Sequence, residues 1–402
     1  MNTSRQPTEA ELQELVARAF EDHQNGLLAV AQKHYLQLLQ YFPEVPVLHY
    51  NLGLIYYEQA EYPEARDSFA LASSFSPQDL DIQFNLALSQ KKTGDLEGAV
   101  NTFKAILERE VDEVDTLYNL AGCFRELHIY SEAVDMYLKL LQVAPAHASA
   151  NNNLAYIYHL LGDKKRALAH YRRVLEISPG HDSARHMVAA LTGDPVSCPP
   201  DSYVVDIFDN YSEKYDYSLV QELEYCVPAT LRSLLNGISR EKKVFRSGLD
   251  LGCGTGLGGE AFRDLIEVFE GIDLSEKMVE LAMEKAIYSQ LYCTNIADFL
   301  SSTERRFDFF LAADVFAYVG DLKAMFSLLK ECGVDHPFFC FSTEKSIDDG
   351  FRLQESGRFA HSSAYIQETA GITGWKIVST ISAGLRKEKG AWLEGDLWVL
   401  QG

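Results

Sequence analysis

Two rhythms of apolar and polar residues divide the chain. Through the first half, apolar residues recur at helical spacing in paired stretches, broken by Asn25-Gly26, Gly94-Asp95 and Gly162-Asp163. Such dipeptides mark turns. Alanine stands at 31, 65, 99, 133 and 167, each 34 residues after the last. Four residues after each comes an aromatic (Tyr35, Phe69, Phe103, Tyr137, Tyr171), and twelve before each a small residue (Ala19, Gly53, Ala87, Ala121, Ala155). Leu52, Leu86, Leu120 and Leu154 precede four of the small residues. Pro43, Pro77, Pro145 and Pro179 close four periods, and Val111 stands in the third. The small residues let two antiparallel helices approach closely, the aromatic fills the gap beside them, and the proline ends the second helix.

Five copies in phase resemble the tetratricopeptide repeat. Each helix pair buries its apolar face only by stacking on a neighbour, which predicts an all-α solenoid over 1–194, closed by a helix from His181 to Leu191. Asn51, Asn85, Asn119 and Asn153 share one position of the repeat. In the family this position faces the concave groove. An amide carries both donor and acceptor and suits a peptide backbone, so the resemblance implies a protein or peptide partner held by this ladder. The other reading, held equally, is that asparagine is simply common there in such repeats.

Around Thr192 to Pro200 the phase stops and Pro, Gly and Ser cluster, which predicts a linker at 195–202 and a second domain over 203–402. From residue 244 short apolar runs alternate with helical stretches. Strands are expected at Val244 to Leu251, Val268 to Ile272, Leu291 to Asn295, Phe307 to Ala312, Pro337 to Phe341, Trp375 to Ile381 and Asp396 to Leu400. This alternation predicts a mostly parallel α/β sheet with helices on both faces.

The chemistry concentrates after the first of these strands, in Leu249-Asp250-Leu251-Gly252-Cys253-Gly254-Thr255-Gly256. Three glycines permit a tight strand-to-helix turn and let a ligand lie on bare backbone. A dinucleotide loop wants G-x-G-x-x-G. Counted from Gly252 the pattern fails at Leu257; counted from Gly254 it is met by Gly256 and Gly259. Asp273, ending the second strand, suits the ribose of either cofactor. The full segment Asp-x-Gly-x-Gly-x-Gly and Gly271-Ile272-Asp273-Leu274-Ser275-Glu276-Lys277-Met278 resemble the first two motifs of class I methyltransferases, which tips the balance toward S-adenosyl-L-methionine.

That resemblance implies a Rossmann-like, seven-stranded domain. It places Asp250, Gly252, Cys253, Gly254 and Gly256 at the cofactor, Leu274 and Met278 near adenine and ribose, Asn295 and the amide of Ile296 at the adenine ring, and Ala313 under the methionine moiety. Asp298 is an alternative acceptor to Asn295. Asp314 is either part of that floor or, slightly favoured, a helix N-cap. The stretch Asp206 to Asp216 resembles an N-terminal helical lid. There Tyr211 and Tyr215 share a helix face and either reach the cofactor or pack. Phe341-Ser342-Thr343-Glu344, Ser356 to Ser362 and Leu385 to Glu388 extend the match, so nearly the whole chain resembles the predicted tetratricopeptide-repeat methyltransferases, mostly bacterial.

For the acceptor, His361 is the only base by its ordinary pKa, with a structural role the better expectation. Arg352, Arg358 and Arg386 either hold a carboxylate or phosphate or are surface charge. The fourth strand ends in Ala-Asp-Val-Phe rather than the Asn/Asp-Pro-Pro-Tyr/Phe of amide and adenine methylation. Three functions follow: a methyltransferase whose repeats recruit a protein or carrier-bound acceptor, a small-molecule methyltransferase whose repeats serve assembly, or a cofactor-binding scaffold without activity.

Composition narrows the rest. At 402 residues with a net charge of −22, the chain repels a phosphate backbone, so nucleic acid is disfavoured. Seven cysteines without a CxxC pair predict reduced thiols, no metal site and a cytoplasmic protein, in line with a polar N-terminus and no apolar run of membrane length.

Overall fold

The computed structural model describes residues 8–211, 215–238, 244–388 and 390–402. The chain divides into two compact units, Met1–Ser178 and Pro179–Gly402.

The first unit is a run of five antiparallel helix pairs: Glu9–Gln24 with Leu28–Leu39, Pro46–Glu58 with Tyr62–Phe75, Leu80–Lys92 with Leu96–Leu107, Val114–Glu126 with Tyr130–Val143, and Ala148–Leu160 with Lys164–Ile177. The five phased alanines are wholly buried, and so are the aromatics that follow them, Tyr171 nearly so. Gly53 shows why that position must be small, since a Cβ there would lie 2.7 Å from the Phe69 ring. The turn inside each pair passes through the left-handed region at Gly26, Ala60, Gly94, His128 and Gly162. Two of the five repeats therefore make this turn without glycine.

The second unit opens with the helix Asp182–Thr192. The sequence assigned this helix to the end of the repeats, and the proline-rich segment to the boundary. Instead the units divide at Ser178 and Pro179, and His186 on the helix lies against Gly357 of its own unit, Nε2 donating to the Gly357 carbonyl at 2.8 Å.

Among the described residues nine strands follow: β1 Phe245–Leu251, β2 Ile266–Asp273, β3 Gln290–Cys293, β4 Phe307–Ala312, β5 Gly333–Lys345, β6 Phe351–Leu353, β7 Phe359–His361, β8 Lys376–Glu388 and β9 Ala391–Gln401. The parallel order is β3-β2-β1-β4-β5; β9 then lies antiparallel between β5 and β8. These are the seven expected strands. The other two, β6 and β7, are three residues each and form a short hairpin on the last residues of β5. Side chains alternate cleanly across the sheet. Phe310, Ala312, Phe339, Phe341 and Trp398 enter one core, while Phe309, Leu311, Phe338, Cys340 and Val399 enter the other. Both faces are thus covered, as a parallel sheet requires. Among the described residues, no helix is long and apolar enough to cross a membrane.

Candidate functional site

The strand order reverses between β1 and β4, and in open α/β sheets the crevice beyond the strand ends at such a point receives the ligand. Here it holds the glycine loop. Gly252, Gly254 and Gly256 have φ of 64°, 54° and 95°, conformations that side-chain-bearing residues rarely adopt. A Cβ on Gly252 would also lie 2.8 Å from Val315 Cγ2, whereas a Cβ on Gly254 would meet nothing within 4 Å. The loop is therefore packed from beneath and open above Gly254. Gly252, Cys253, Gly254, Thr255 and Ala313 line the pocket it makes, together with Leu219 and Tyr225.

Asp250 borders this pocket from below. Its carboxylate accepts from the Tyr288 hydroxyl at 2.7 Å, and that hydroxyl accepts from the Gly259 amide at 3.1 Å. Burial pushes the Asp250 carboxyl up to about 7, against the pull of Tyr288. Tyr288 went unread in the sequence. The adjacent pair Gly258-Gly259 was the available signal, because a Cβ on either would strike Asp250 or Tyr288.

Asp273 ends β2 and turns back to the loop. One oxygen accepts from the Gly254 amide at 2.8 Å, the other from the Ser275 amide at 3.0 Å. Burial raises its carboxyl while these backbone donors oppose the rise. The Leu274 amide adds a third backbone bond, and since a carboxylate has about four acceptor positions, capacity for a ribose hydroxyl remains. Leu274 beside it is half-buried, and Met278 is wholly buried.

Asn295 follows β3. Its amide oxygen caps the helix Ile296–Ser302 by accepting from the Ala297 amide at 2.8 Å, and its nitrogen donates to Asp201 at 2.9 Å. That oxygen keeps one acceptor position, and the nitrogen brings Asp201 to this end of β3. Asp298 is exposed.

Asp201 begins the helix Asp201–Tyr211, which the structure ties across the strand ends at several points. Ser275 Oγ donates to Asp209 at 2.5 Å, Lys277 Nζ to the Asp209 carbonyl at 3.2 Å, and Phe208 meets Tyr318 edge-on at 5.3 Å. Beyond it, Asp216 accepts from Thr255 of the glycine loop and from Lys285. The side chains of Tyr211 and Tyr215 lie outside the described residues.

Past Ala313 the site becomes charged. Asp314 is not a helix cap: its φ is 66°, its amide donates to Ser342 Oγ, and its carboxylate pairs with Arg386. Arg386 also donates to Glu344 at 3.0 Å and Glu388 at 3.1 Å, and Arg358 donates to Glu344 at 2.7 Å and Glu388 at 2.7 Å. Burial would lower the Arg386 guanidinium, and the three carboxylates more than reverse this. Burial pushes the Glu344 carboxyl up, against the pull of both arginines. Neither arginine is surface charge. Arg352 is, pairing with Asp348 on an exposed turn.

His361 is wholly enclosed, with Nε2 donating to the Gly320 carbonyl at 2.8 Å, and burial brings its pKa down to about 4. It holds a loop in place and does not reach the pocket, which removes it as the candidate base.

In the first unit, the asparagine ladder points partly into its own helices. Asn85 and Asn119 donate to the carbonyls one turn back, at 2.9 Å each. Asn85 also donates to Tyr50 of the preceding repeat, and Asn153 likewise to Tyr118. Asn51 is buried with its nitrogen unpartnered.

A methyltransferase-domain family model matches residues 249–333, and tetratricopeptide-repeat models match 15–79, 81–110 and 112–180. No curated protein matches the chain. Among solved structures, YrrB, a tetratricopeptide-repeat protein with an unusual peptide-binding site, is 20% identical with a TM-score of 0.41, over 43% of this chain and 89% of YrrB. MamA from Desulfovibrio magneticus RS-1 is 14% identical with a TM-score of 0.41, over 42% of this chain and 97% of its own. The N-methyltransferase NodS from Bradyrhizobium japonicum WM9, solved with S-adenosyl-l-homocysteine, is 16% identical with a TM-score of 0.40, over 49% of this chain and 97% of NodS. The chain is a tetratricopeptide-repeat protein with a methyltransferase domain.

Proposed function

We propose that the second unit transfers a methyl group from S-adenosylmethionine to an acceptor on a protein, or carried by one, that the repeats recruit. The observation that carries the cofactor reading is the Asp273 carboxylate bound to the Gly254 amide beside an open glycine loop. Asp273 keeps acceptor capacity for a ribose hydroxyl, the backbone of Gly252 to Gly254 takes the amino-acid part, and Ala313 forms the floor. When bound, S-adenosylmethionine supplies a methyl group already activated on a positively charged sulfur. The protein's own work is then to orient the acceptor and exclude water, and the helix Asp201–Tyr211 is tied down for that purpose. The seven free thiols suit a reducing compartment, which favours the cytoplasm.

Calorimetric titration with S-adenosylhomocysteine tests the cofactor, with Asp273→Ala expected to weaken binding. No binding by the unmodified chain would defeat the reading. Methyl-labelled cofactor and cell extract then test the acceptor: label is expected in protein, and label confined to small molecules would instead give the repeats an assembly role. Asn85→Ala with Asn119→Ala should reduce partner capture, and unchanged capture would remove the ladder from the account.

A further inference from the structure

We propose that the methylated group is an amine, positioned by the Asp314 carboxylate at the end of β4. The inference rests on the methyl-transfer reading above.

Asp314 follows Ala313, which lines the candidate cofactor pocket, and precedes Val315, which packs beneath Gly252. Its φ of 66° lies in the left-handed region, which Asp and Asn adopt more readily than other residues with side chains. That conformation is held by the Ser342 hydroxyl on its amide and by Arg386 on its carboxylate. The side chain keeps 21% of its surface exposed, while Arg386 and Glu344 behind it keep 7% and 1%.

The charges decide what can be received there. The arginines that suggested an anionic acceptor are fully matched from within. All three guanidinium nitrogens of Arg386 are engaged, by Asp314, Glu344 and Glu388, and Arg358 spans Glu344 and Glu388. With Glu344 ionised, three carboxylates face two guanidinium groups and one negative charge is left over. With Glu344 neutral, Asp314 and Glu388 balance the two arginines. In neither state does positive charge remain for a carboxylate or phosphate. With Glu344 ionised, acceptor capacity remains as well: among the described residues, Glu344 Oε2 is buried in the cluster without a partner. A group bringing N–H donors and positive charge complements this site, and an anion is repelled.

In the step itself, an ammonium held at Asp314 gives one proton through that carboxylate to water. The nitrogen lone pair then forms the N–C bond as the S–C bond breaks, its electron pair returning to sulfur. The products are a methylammonium and a neutral thioether.

The test uses the full chain, methyl-labelled S-adenosylmethionine and an extract of its source cells, with the linkage identified chemically. Methyl esters release volatile methanol at about pH 11, and N-methyl groups survive. Label is expected on nitrogen. Asp314→Asn, which retains the left-handed backbone that Asn tolerates, should lower kcat/KM about tenfold or more. Its S-adenosylhomocysteine affinity should stay within about threefold, and Asp314→Glu should restore part of the rate. Label on oxygen or sulfur, no label on nitrogen although S-adenosylhomocysteine binds, or full activity of Asp314→Asn overturns the inference alone. Failure of the unmodified chain to bind S-adenosylhomocysteine overturns it together with the reading beneath it.

Discussion

Replacing Asp250 by asparagine should change how the stability of the second unit depends on pH. The Asp250 carboxyl is enclosed beneath the glycine loop, and burial carries it from an ordinary 3.8 to about 7. In the unfolded chain it returns to water and loses its proton near its ordinary value. Between those values the folded chain binds one proton more than the unfolded chain, so stability falls as pH rises. The contribution is complete below about pH 4 and lost as pH rises through about 7. Its slope is about 1.4 kcal/mol per pH unit, and the whole change about 4 kcal/mol. Asparagine keeps the shape and an oxygen for Tyr288 but has no proton to lose. The advantage of Asp250→Asn over the unmodified chain should therefore widen by about 4 kcal/mol between about pH 4 and pH 8. All three tryptophans, Trp375, Trp392 and Trp398, belong to the second unit, and Trp375 and Trp398 are buried. Their fluorescence in urea titrations follows that unit alone. Parallel pH profiles for the two proteins would refute the reasoning.

Gly252→Ala imposes a left-handed φ on alanine and drives its Cβ toward Val315; a cost of about 1–3 kcal/mol is expected, with a loss of S-adenosylhomocysteine affinity of about tenfold or more by calorimetry. Arg386→Met removes the ion-pair partner of Asp314 and leaves Glu344 and Glu388 to Arg358 alone and should destabilise the second unit by about 3–5 kcal/mol in urea; a loss under about 1 kcal/mol would contradict the cluster's role. Ala99→Leu overfills a wholly buried helix contact at about 1–3 kcal/mol; it should lower the helical melting transition seen by circular dichroism and leave the tryptophan transition in place.

The repeats were legible because each contact is local: an alanine, its aromatic and its small partner lie within one period, so phase alone exposes the packing. The turns were less so, since Ala60 and His128 make the left-handed bend that glycine announces elsewhere. In the second unit, β1 to β5 and the glycine loop showed themselves as apolar runs with a break of fixed form. The strands β6 and β7 did not, because three residues make no pattern, and β7 exists only against the end of β5 and β6 only against β7. The charged cluster was half read. Arg358 and Arg386 drew notice singly, but their meaning depends on Glu344 and Asp314, which the fold brings from other strands. His361 shows the same limit, because residue type gave its chemistry and only the fold showed where the ring is enclosed.

The antiparallel insertion of β9 between β5 and β8 sets an order of assembly. During synthesis the repeats emerge first, and each helix pair finds its partners within a few dozen residues, so the array can form early. The sheet cannot. Until β9 arrives, β5 presents an open edge of Phe338 to Glu344 with no neighbour on that side, and unpaired edges of this kind invite association with other chains. The methyltransferase unit therefore passes through synthesis with this apolar strand unguarded, after the repeat array has already folded.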